Sequence, residues 1–177
     1  EETGYVTIAE KEIDWEEMKK SLPVGTPKPH DSILQPGSLI FNDQIKKVEN
    51  MENYFQWWKW QIGANWKAPK GPGSNIDNMG EFPVVHIAYE DAKAYCSWAN
   101  RRLPTEAEWE SAAQGNYVNA VFTWGNETGV LKSNANTWQG DFPIVNKSID
   151  GFEMIAPVKS FPPNSIGVYD MIGNVWE

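Results

Sequence analysis

The chain has 177 residues, of which 41% are hydrophobic and 22% are charged, an ordinary composition for a globular domain with a core. Its formal net charge of −9 argues against a nucleic-acid partner, because phosphate backbones select basic surfaces. A single cysteine excludes a disulfide within the chain, and no apolar run approaches the ~20 residues of a membrane span. The 10 Trp, 12 Pro and 14 Gly predict an irregular fold with aromatic side chains in its core.

The first part of the chain is predicted to form short elements separated by loops. Asp14 is a suitable N-cap for a short helix over residues 14–22. Residues 37–42 are predicted to form a short strand, and the aromatic run at 54–62 a second, largely covered strand. Residues 82–88 combine an early proline with a β-branched apolar run, which is typical of a buried strand.

The most regular part of the chain is predicted to be a pair of helices joined by a very short turn. The first covers residues 90–100, with acidic residues in its first turn and apolar residues spaced along one face. The second covers residues 106–114. Thr105 and Glu108 have the spacing of a capping box, in which each side chain bonds to the backbone N–H of the other residue.

Turns dominate the prediction beyond residue 115. Turn-forming clusters occur at 134–143, 150–152 and 161–164, and residues 156–161 have the pattern of a short strand. The sequence contains no internal repeat and no recognisable domain boundary. We therefore expect a single domain over residues 1–177.

Residues suited to acid–base or nucleophilic catalysis are scarce. His86 lies in the predicted buried strand and is interpreted as a hydrogen-bonded core residue, since no partner is placed to complete a triad. Cys96 lies on the apolar face of the first predicted helix. That position favours packing, or a structural disulfide to a segment outside the chain, over a catalytic thiol.

Oxygen ligands for a hard cation are more plentiful. Asn136, Asp150 and Asp170 each lie in an irregular segment that contains glycine. Ca²⁺ is bound by carboxylate, amide and backbone oxygens together, and irregular segments can supply all three. On composition alone, such residues are more typical of turns in which the side chain bonds to its own backbone.

A series of short motifs, in order along nearly the whole chain, resembles the formylglycine-generating enzyme family, which is also the sulfatase-modifying-factor domain. Each motif is weak alone, but the ordered set is specific. The motifs are Gly-Tyr-Val-Thr at 4–7, Gly-Ala-Asn-Trp at 63–66, Pro-Val-Val-His at 83–86, Ala-Tyr-Cys-Ser-Trp-Ala at 94–99, Arg-Leu-Pro-Thr-Glu-Ala-Glu-Trp-Glu at 102–110, Trp-Gly-Asn at 124–126, Ala-Asn-Thr-Trp-Gln-Gly-Asp-Phe-Pro at 135–143, Asp-Gly-Phe at 150–152, Ala-Pro-Val at 156–158 and Gly-Asn-Val-Trp-Glu at 173–177.

The resemblance implies an irregular α+β domain, similar to the C-type lectin fold, with little regular secondary structure. It implies an enzyme that oxidises a cysteine in a motif of an unfolded sulfatase to Cα-formylglycine, using O₂ and a copper ion held by two cysteines. In the family that cysteine pair follows the motif matched at 173–177, where this chain stops. We therefore expect a domain truncated at both ends, without catalytic residues of its own and inactive as an oxidase when isolated.

The resemblance also implies two calcium ions that hold the irregular loops in place. The ligands of the first ion would be Asn136, the carbonyl of Thr137, Asp150 and the carbonyl of Phe152. The ligands of the second ion would be Asp170, the carbonyls of Gly173 and Val175, and Glu177. Trp176 would line the substrate groove, and Cys96 matches the cysteine that forms a structural disulfide with a late segment.

Two other functions are compatible with the same motifs. The full-length protein could be a non-catalytic member of the fold that acts as a binding or scaffold module, as in bacterial gliding and secretion lipoproteins. A related non-haem iron sulfoxide synthase is disfavoured, because its iron-binding histidine motif is not visible. The gene sequence after residue 177 separates the first two, since the oxidase requires two closely spaced cysteines there.

Overall fold

The structure is a computed structural model that describes residues 2–176. Its chain is divided into two compact units. The first unit contains the chain up to Gln44 together with Asn50–Asp77 and Val84–Arg101. The second contains Ile45–Glu49, Asn78–Pro83 and the chain from Arg102 onward. The single domain expected over residues 1–177 stays a prediction.

The first unit contains a two-stranded antiparallel sheet. Strand β1 covers Gly37–Phe41 and strand β2 covers Trp58–Ile62, with Gly37 opposite Ile62 and Phe41 opposite Trp58. The predicted strand at 37–42 is therefore confirmed. The predicted strand at 54–62 is correct only from residue 58, because Tyr54–Gln56 forms a 3₁₀ turn that begins where the Asn53 side chain accepts from the backbone N–H of Phe55.

The N-terminal helical segment begins where the sequence predicts. Helix α1 covers Trp15–Met18 and continues as a 3₁₀ turn over Lys19–Ser21. The Asp14 carboxylate accepts from the backbone N–H groups of Glu16 and Glu17, as expected of an N-cap. A further 3₁₀ turn covers Ile8–Glu10.

The two predicted central helices are both present. Helix α2 covers Tyr89–Trp98 in the first unit, and helix α3 covers Glu106–Gln114 in the second. Asp91 in the first turn of α2 is 4% exposed, and its carboxylate accepts from Ala88 N at 2.9 Å and from the Tyr5 hydroxyl at 2.9 Å. This buried carboxylate therefore caps α2 and ties the N-terminal segment to it.

The strands predicted at 82–88 and 156–161 are wrong. His86 has a φ of 60° and Lys159 a φ of 62°, in the left-handed region, where extended backbone is interrupted. Val84 is 60% exposed, which also contradicts a buried strand. Strands β3 (Gly140–Asp141) and β4 (Val145–Asn146) instead pair in the second unit, within and just after a segment predicted as turns.

The architecture confirms a mixed α and β class with little regular structure. Short helices, two small sheets and long irregular segments make up residues 2–176. The expected aromatic core is only partly correct, because Trp57 is 6% exposed whereas Trp98 is 57% exposed. Strand β2 is likewise not largely covered, because a two-stranded sheet is too narrow to shield large side chains, and Trp60 is 44% exposed. Within residues 2–176, no helix has the length and apolar character needed to cross a membrane.

Candidate metal centre

The candidate site is built from three irregular segments of the second unit, residues 134–139, 146–156 and 170–176, which we call the loop cluster. Its centre is closely packed: Ala135 and Ala156 are each 1% exposed. Asn136 is a buried polar side chain at 7% exposure. Buried amides require hydrogen-bond partners, and in the loop cluster these partners come from distant parts of the sequence.

Asp150 joins the first two segments. Its Oδ2 accepts from the backbone N–H of Thr137 at 3.0 Å and from Gln139 Nε2 at 2.8 Å. Its Oδ1 accepts from the backbone N–H of Phe152 at 3.0 Å, and its own N–H donates to Gln139 Oε1 at 2.9 Å. The structure thus brings together Thr137, Asp150 and Phe152, three of the four residues predicted to bind the first calcium ion.

Asn136 of the first segment and Asn174 of the third bond to each other and to the second segment. Asn136 Nδ2 donates to the carbonyl of Met154 at 2.7 Å and to Asn174 Oδ1 at 3.0 Å. The N–H of Asn174 donates to the carbonyl of Asn136 at 2.9 Å. The Asn174 side chain also accepts from Ala156 N at 2.7 Å and donates to Ala156 O at 3.1 Å. One amide therefore bonds to two distant segments at once.

Asn136 and Asp150 differ in how far hydrogen bonds already use their side-chain oxygens. Both oxygens of Asp150 accept N–H donors. Both described hydrogen bonds of the Asn136 side chain leave from Nδ2, so neither uses its Oδ1. A carboxylate, an amide oxygen and nearby backbone carbonyls are ligands that Ca²⁺ prefers. Among residues 2–176, no three His, Cys, Asp or Glu side chains are grouped to hold a metal. An ion here would therefore depend on amide and backbone oxygens.

The structure describes three of the four residues predicted to bind the second calcium ion. Asp170 has a φ of 58°, and its Oδ2 accepts from the N–H of Lys159 at 2.8 Å. That bond joins Asp170 to residue 159 rather than to the segment 173–175. Gly173 has a φ of 79°, which turns the chain sharply before Val175. Glu177 lies outside the described residues, so this ligand set stays a prediction.

The other predicted site residues lie in different surroundings. Trp176 is 97% exposed, so its indole is accessible on the second unit. Cys96 is half-buried on helix α2 of the first unit. His86 Nε2 lies 2.8 Å from the carbonyl of Pro69, which agrees with a hydrogen-bonded histidine although the expected strand is absent. The roles predicted for Trp176 and Cys96 stay predictions.

The start of helix α3 is stabilised by local electrostatics. Thr105 and Glu108 form the predicted capping box, and Arg102 bonds to both Glu108 oxygens at 2.6 Å. The Arg102 hydrogen bonds, followed by those from the Thr105 backbone and hydroxyl, lower the pKa of Glu108 to about 2. Glu108 is therefore occupied in holding the helix start and is not free for acid–base chemistry near neutral pH.

Sequence reasoning missed two residues that organise the loop cluster. Gln139 exchanges two hydrogen bonds with Asp150, and Asn174 bonds to Asn136 and Ala156. Asn174 follows a glycine in an irregular segment, a signal that would have marked it as a candidate for left-handed backbone. No comparable signal marks Gln139, because its partner is eleven residues away.

A partly buried network of amide and carboxylate side chains thus supports irregular loops in a mixed α and β chain. Residues 1–177 match the family model of the sulfatase-modifying factor enzyme 1-like domain. The chain belongs to this family, which confirms the resemblance inferred from its motifs.

Curated relatives include both active and inactive enzymes. The formylglycine-generating enzyme of Thermomonospora curvata is 51% identical over 176 residues, which cover 99% of this chain and 52% of the relative. That of Mus musculus is 42% identical over 177 residues, which cover 99% of this chain and 42% of the relative. The inactive C-alpha-formylglycine-generating enzyme 2 of Mus musculus is 46% identical over 145 residues, or 79% of this chain and 46% of the relative. The chain spans about half the length of these relatives.

Proposed function

We propose that the full-length protein containing this chain is a formylglycine-generating oxidase. It oxidises a cysteine in a sulfatase motif to Cα-formylglycine with O₂. The observation that supports this function is identity of 42–51% to formylglycine-generating enzymes over 99% of the chain. The irregular segments and small sheets are compatible with the C-type-lectin-like fold that the function would use, which is part of the same proposal.

The copper ion of this reaction does not fit residues of this chain. Two cysteines are needed to hold it, and Cys96 is the single cysteine present. When bound, copper supplies the redox chemistry with O₂. The catalytic cysteine pair therefore lies beyond this chain, and residues 1–177 alone are inactive. Cys96 is half-buried, and in the full-length protein it would pair in a structural disulfide with a later segment.

Residues 134–176 contribute a calcium-supported surface for the substrate. Asn136, Thr137, Asp150 and Phe152 hold one ion, and the segment 170–177 holds the other. The ions would stabilise loops that contain little regular structure, because a cation that binds the folded state raises its stability. Trp176 is 97% exposed and follows Asn174 by two residues, so a loop fixed by Asn174 would also position this indole.

The substrate is an extended segment of an unfolded sulfatase, as the activity requires. An exposed indole offers a flat apolar surface with one N–H donor, suited to contact with a peptide backbone or side chain. Trp176 would thus be a substrate-binding residue rather than a catalytic one. Removal of its ring should weaken peptide binding more than it slows the chemical step.

The activity test uses the purified full-length protein, copper, a reductant, O₂ and a peptide with the sulfatase motif. Mass spectrometry should detect conversion of the peptide cysteine to the aldehyde. Trp176→Ala should raise KM with a smaller change in kcat, whereas Trp98→Ala, an exposed tryptophan of the first unit, should leave both unchanged. The isolated 177-residue chain should form no aldehyde, and turnover by it would contradict the placement of the cysteine pair.

The second candidate function is a non-catalytic binding or scaffold module of the same family. The 46% identity to an inactive relative supports it, since that value lies within the range found for active relatives. The gene sequence after residue 177 distinguishes the two functions. Two closely spaced cysteines there and aldehyde formation support the oxidase. A folded full-length protein without the cysteine pair and without turnover supports the module.

A further inference from the structure

The two-stranded sheet of the first unit has one apolar face. In an antiparallel pair, the side chains of opposite residues lie on the same face, and the two faces alternate along each strand. Leu39 of β1 is opposite Trp60 of β2. Phe41 is opposite Trp58, and their rings are in edge contact with centroids 5.7 Å apart. These four side chains and that of Ile62 form what we call the apolar sheet face.

The apolar sheet face is open to solvent. Leu39 is 36% exposed, Ile62 is 37% exposed and Trp60 is 44% exposed. When an antiparallel sheet has one solvated face, that face normally carries its polar residues, and the apolar residues pack inward. Strands β1 and β2 therefore expose the face that such sheets normally bury.

The opposite, more polar face of the sheet is the one that packs against this chain. It is formed by Ser38, Ile40, Lys59 and Gln61. Of these four side chains, only that of Lys59 is exposed. A Cβ added to Gly71 would lie 2.8 Å from Gln61 Cγ, so the loop around Gly71 lies against this face. Within residues 2–176, the usual arrangement of apolar inside and polar outside is thus reversed.

The outer edge of β2 is open as well. Gly63 N donates to Pro36 O at 2.8 Å, just beyond one end of the paired strands. Asn42 N donates to Trp57 O at 2.8 Å, just beyond the other end. Because bonded and non-bonded pairs alternate along an antiparallel ladder, the N–H and C=O of Trp60 point away from β1. No third strand joins this sheet within residues 2–176, and a two-stranded sheet is marginally stable by itself.

The size of the apolar sheet face favours an occupant that belongs to the same polypeptide. Two strands of five residues cover about 17 Å by 10 Å, or roughly 170 Å². A stable interface between separate proteins buries about 800 Å² on each partner. A tethered segment needs less area, because it loses less translational and rotational freedom when it docks. The chain spans 52% of the relative from Thermomonospora curvata, so a protein of that size has about as many residues again to supply the segment.

We propose that a segment of the full-length polypeptide outside residues 1–177 packs on the apolar sheet face. The segment presents apolar side chains to Leu39, Trp60 and Ile62, because burial of these residues supplies the driving force for docking. The inference rests on the longer polypeptide of the proposed function but not on its oxidase activity. Aldehyde formation and coverage of the sheet are therefore separate results.

The experiment compares thiol labelling of Leu39→Cys and Lys59→Cys in the purified full-length protein. Both positions are exposed in this structure, and they lie on opposite faces of the same sheet. Each variant is treated with iodoacetamide, and mass spectrometry follows the label at the new cysteine. Leu39→Cys should react at least about tenfold more slowly than Lys59→Cys, because a covered thiol is shielded from the reagent. Equal rates would overturn the proposal.

A second measurement uses the unaltered full-length protein, so it decides the question if the cysteine variants do not fold. Hydroxyl-radical footprinting compares the oxidation of Trp60 with that of Trp57, which is 6% exposed and serves as the buried reference. Coverage of the sheet predicts that both indoles are equally protected. Oxidation of Trp60 that is clearly faster than that of Trp57 would overturn the proposal.

The remaining measurements identify what covers the face. A benzophenone attached to Leu39→Cys should cross-link, within one molecule, to a peptide outside residues 1–177. Cross-links only to residues 1–177 would overturn the proposal. Sedimentation velocity establishes the oligomeric state, and the protection should be present in the monomer without added peptide. Protection that appears only in a dimer, or only after addition of a sulfatase-motif peptide, would assign the face to a second copy or to the substrate instead.

Discussion

Two regions of the second unit are held in opposite ways. The start of helix α3 is stabilised by residues close in sequence, since Thr105 and Glu108 are three apart and Arg102 and Glu108 are six apart. In the loop cluster, the bond between Asn136 and Asn174 spans 38 residues. The first set of contacts is exposed to solvent and the second is partly buried. Exposed local contacts compete with water and are individually weak, whereas a buried amide that loses its partner is costly.

The largest expected effect of a single substitution is at Asn174. In the full-length protein, Asn174→Ala removes three side-chain hydrogen bonds, leaves Ala156 and Asn136 groups unpaired and places alanine at a φ of 65°. We expect the free energy of unfolding to fall by about 3 kcal/mol or more. Urea denaturation followed by circular dichroism measures the loss.

Asn119 provides the matched control for the left-handed backbone. It has a φ of 60° but an exposed side chain. Asn119→Ala should lower the free energy of unfolding only by the penalty for alanine in left-handed backbone, about 1 kcal/mol. Equal losses at the two positions would show that the amide network of the loop cluster adds nothing beyond backbone conformation.

Calcium should produce the next largest effect and should act through the loop cluster alone. In the full-length protein, an ion at a hundred times its Kd should add about 2.7 kcal/mol for a single site that exists only in the folded state. The melting temperature should therefore rise with millimolar Ca²⁺ and return to its starting value with EDTA. Asp150→Asn should reduce the rise, whereas Glu108→Gln at the helix start should preserve it. A melting temperature insensitive to Ca²⁺ would argue against both predicted sites.

A smaller effect is expected at Asn164. This residue stabilises helix α3, as the local contacts at the helix start do, but through a long-range hydrogen bond like those of the loop cluster. Its Nδ2 donates to the carbonyl of Ala112 at 2.6 Å, so a residue about fifty positions away bonds to the end of helix α3. Asn164 is 9% exposed, and its Oδ1 accepts from Ile166 N and Val168 N. Asn164→Ala should reduce the free energy of unfolding by about 2 kcal/mol in urea denaturation.

The exposed Asn116 is the control for this position, because its Nδ2 lies 3.4 Å from the carbonyl of Ser165 in the same turn. Asn116→Ala should cost less than about 1 kcal/mol. If it destabilises the protein as much as Asn164→Ala, then the number of bonds to the turn matters more than their burial.

The smallest expected effect is the pH dependence contributed by Glu108. Its pKa is lowered to about 2 in the folded protein by the Arg102 hydrogen bonds and then those of Thr105, from an ordinary value of 4.5. A depressed pKa stabilises the folded state above the unfolded pKa, and this contribution is lost as the pH falls from 4.5 toward 2. The difference in stability between the protein and Glu108→Gln should therefore be present at pH 7 and shrink across that range.

Urea denaturation at several pH values measures this difference, with Glu106→Gln as the control for a charge removed from the same helix turn. Because Glu108 is exposed, added salt should also reduce the difference. A difference that stayed constant between pH 7 and pH 2 would mean that the Gln side chain disturbs the helix start by some means other than its missing charge.

The helix start shows how much of the fold could be predicted from sequence. Residues 106–114 were predicted as a helix, and α3 has these bounds because Thr105 caps it and Gly115 ends it at a φ of 57°. The N-cap at Asp14 was predicted for the same reason. Caps act over three or four residues, so their partners are visible in a short stretch of sequence.

The strand predicted at 82–88 shows where such reasoning fails. Its β-branched apolar run is typical of a strand, but His86 adopts a φ of 60° and bonds to the carbonyl of Pro69, 17 residues earlier. That partner cannot be identified from the pattern of residues 82–88. Tertiary contacts override local strand preference, particularly in irregular folds with little sheet.

The residues of the candidate site were likewise predicted from the sequence only in part. Resemblance to the family selected Asn136 and Asp150, and the structure shows both within the loop cluster. It did not select Gln139 or Asn174, which hold them in place. In a turn, an asparagine can bond to its own backbone or to another segment, and the sequence alone does not distinguish the two.

The sequence by itself determined the capped helix α3, the strand over residues 37–41 and membership of the family, because each depends on short motifs or on contacts between near neighbours. Only the tertiary structure decided which amides meet in the loop cluster. The physical reason is that Asn136, Ala156 and Asn174 satisfy one another across 18 to 38 residues. These hydrogen bonds contribute more to stability when they are shielded from water. That shielding arises only after the three segments have packed together.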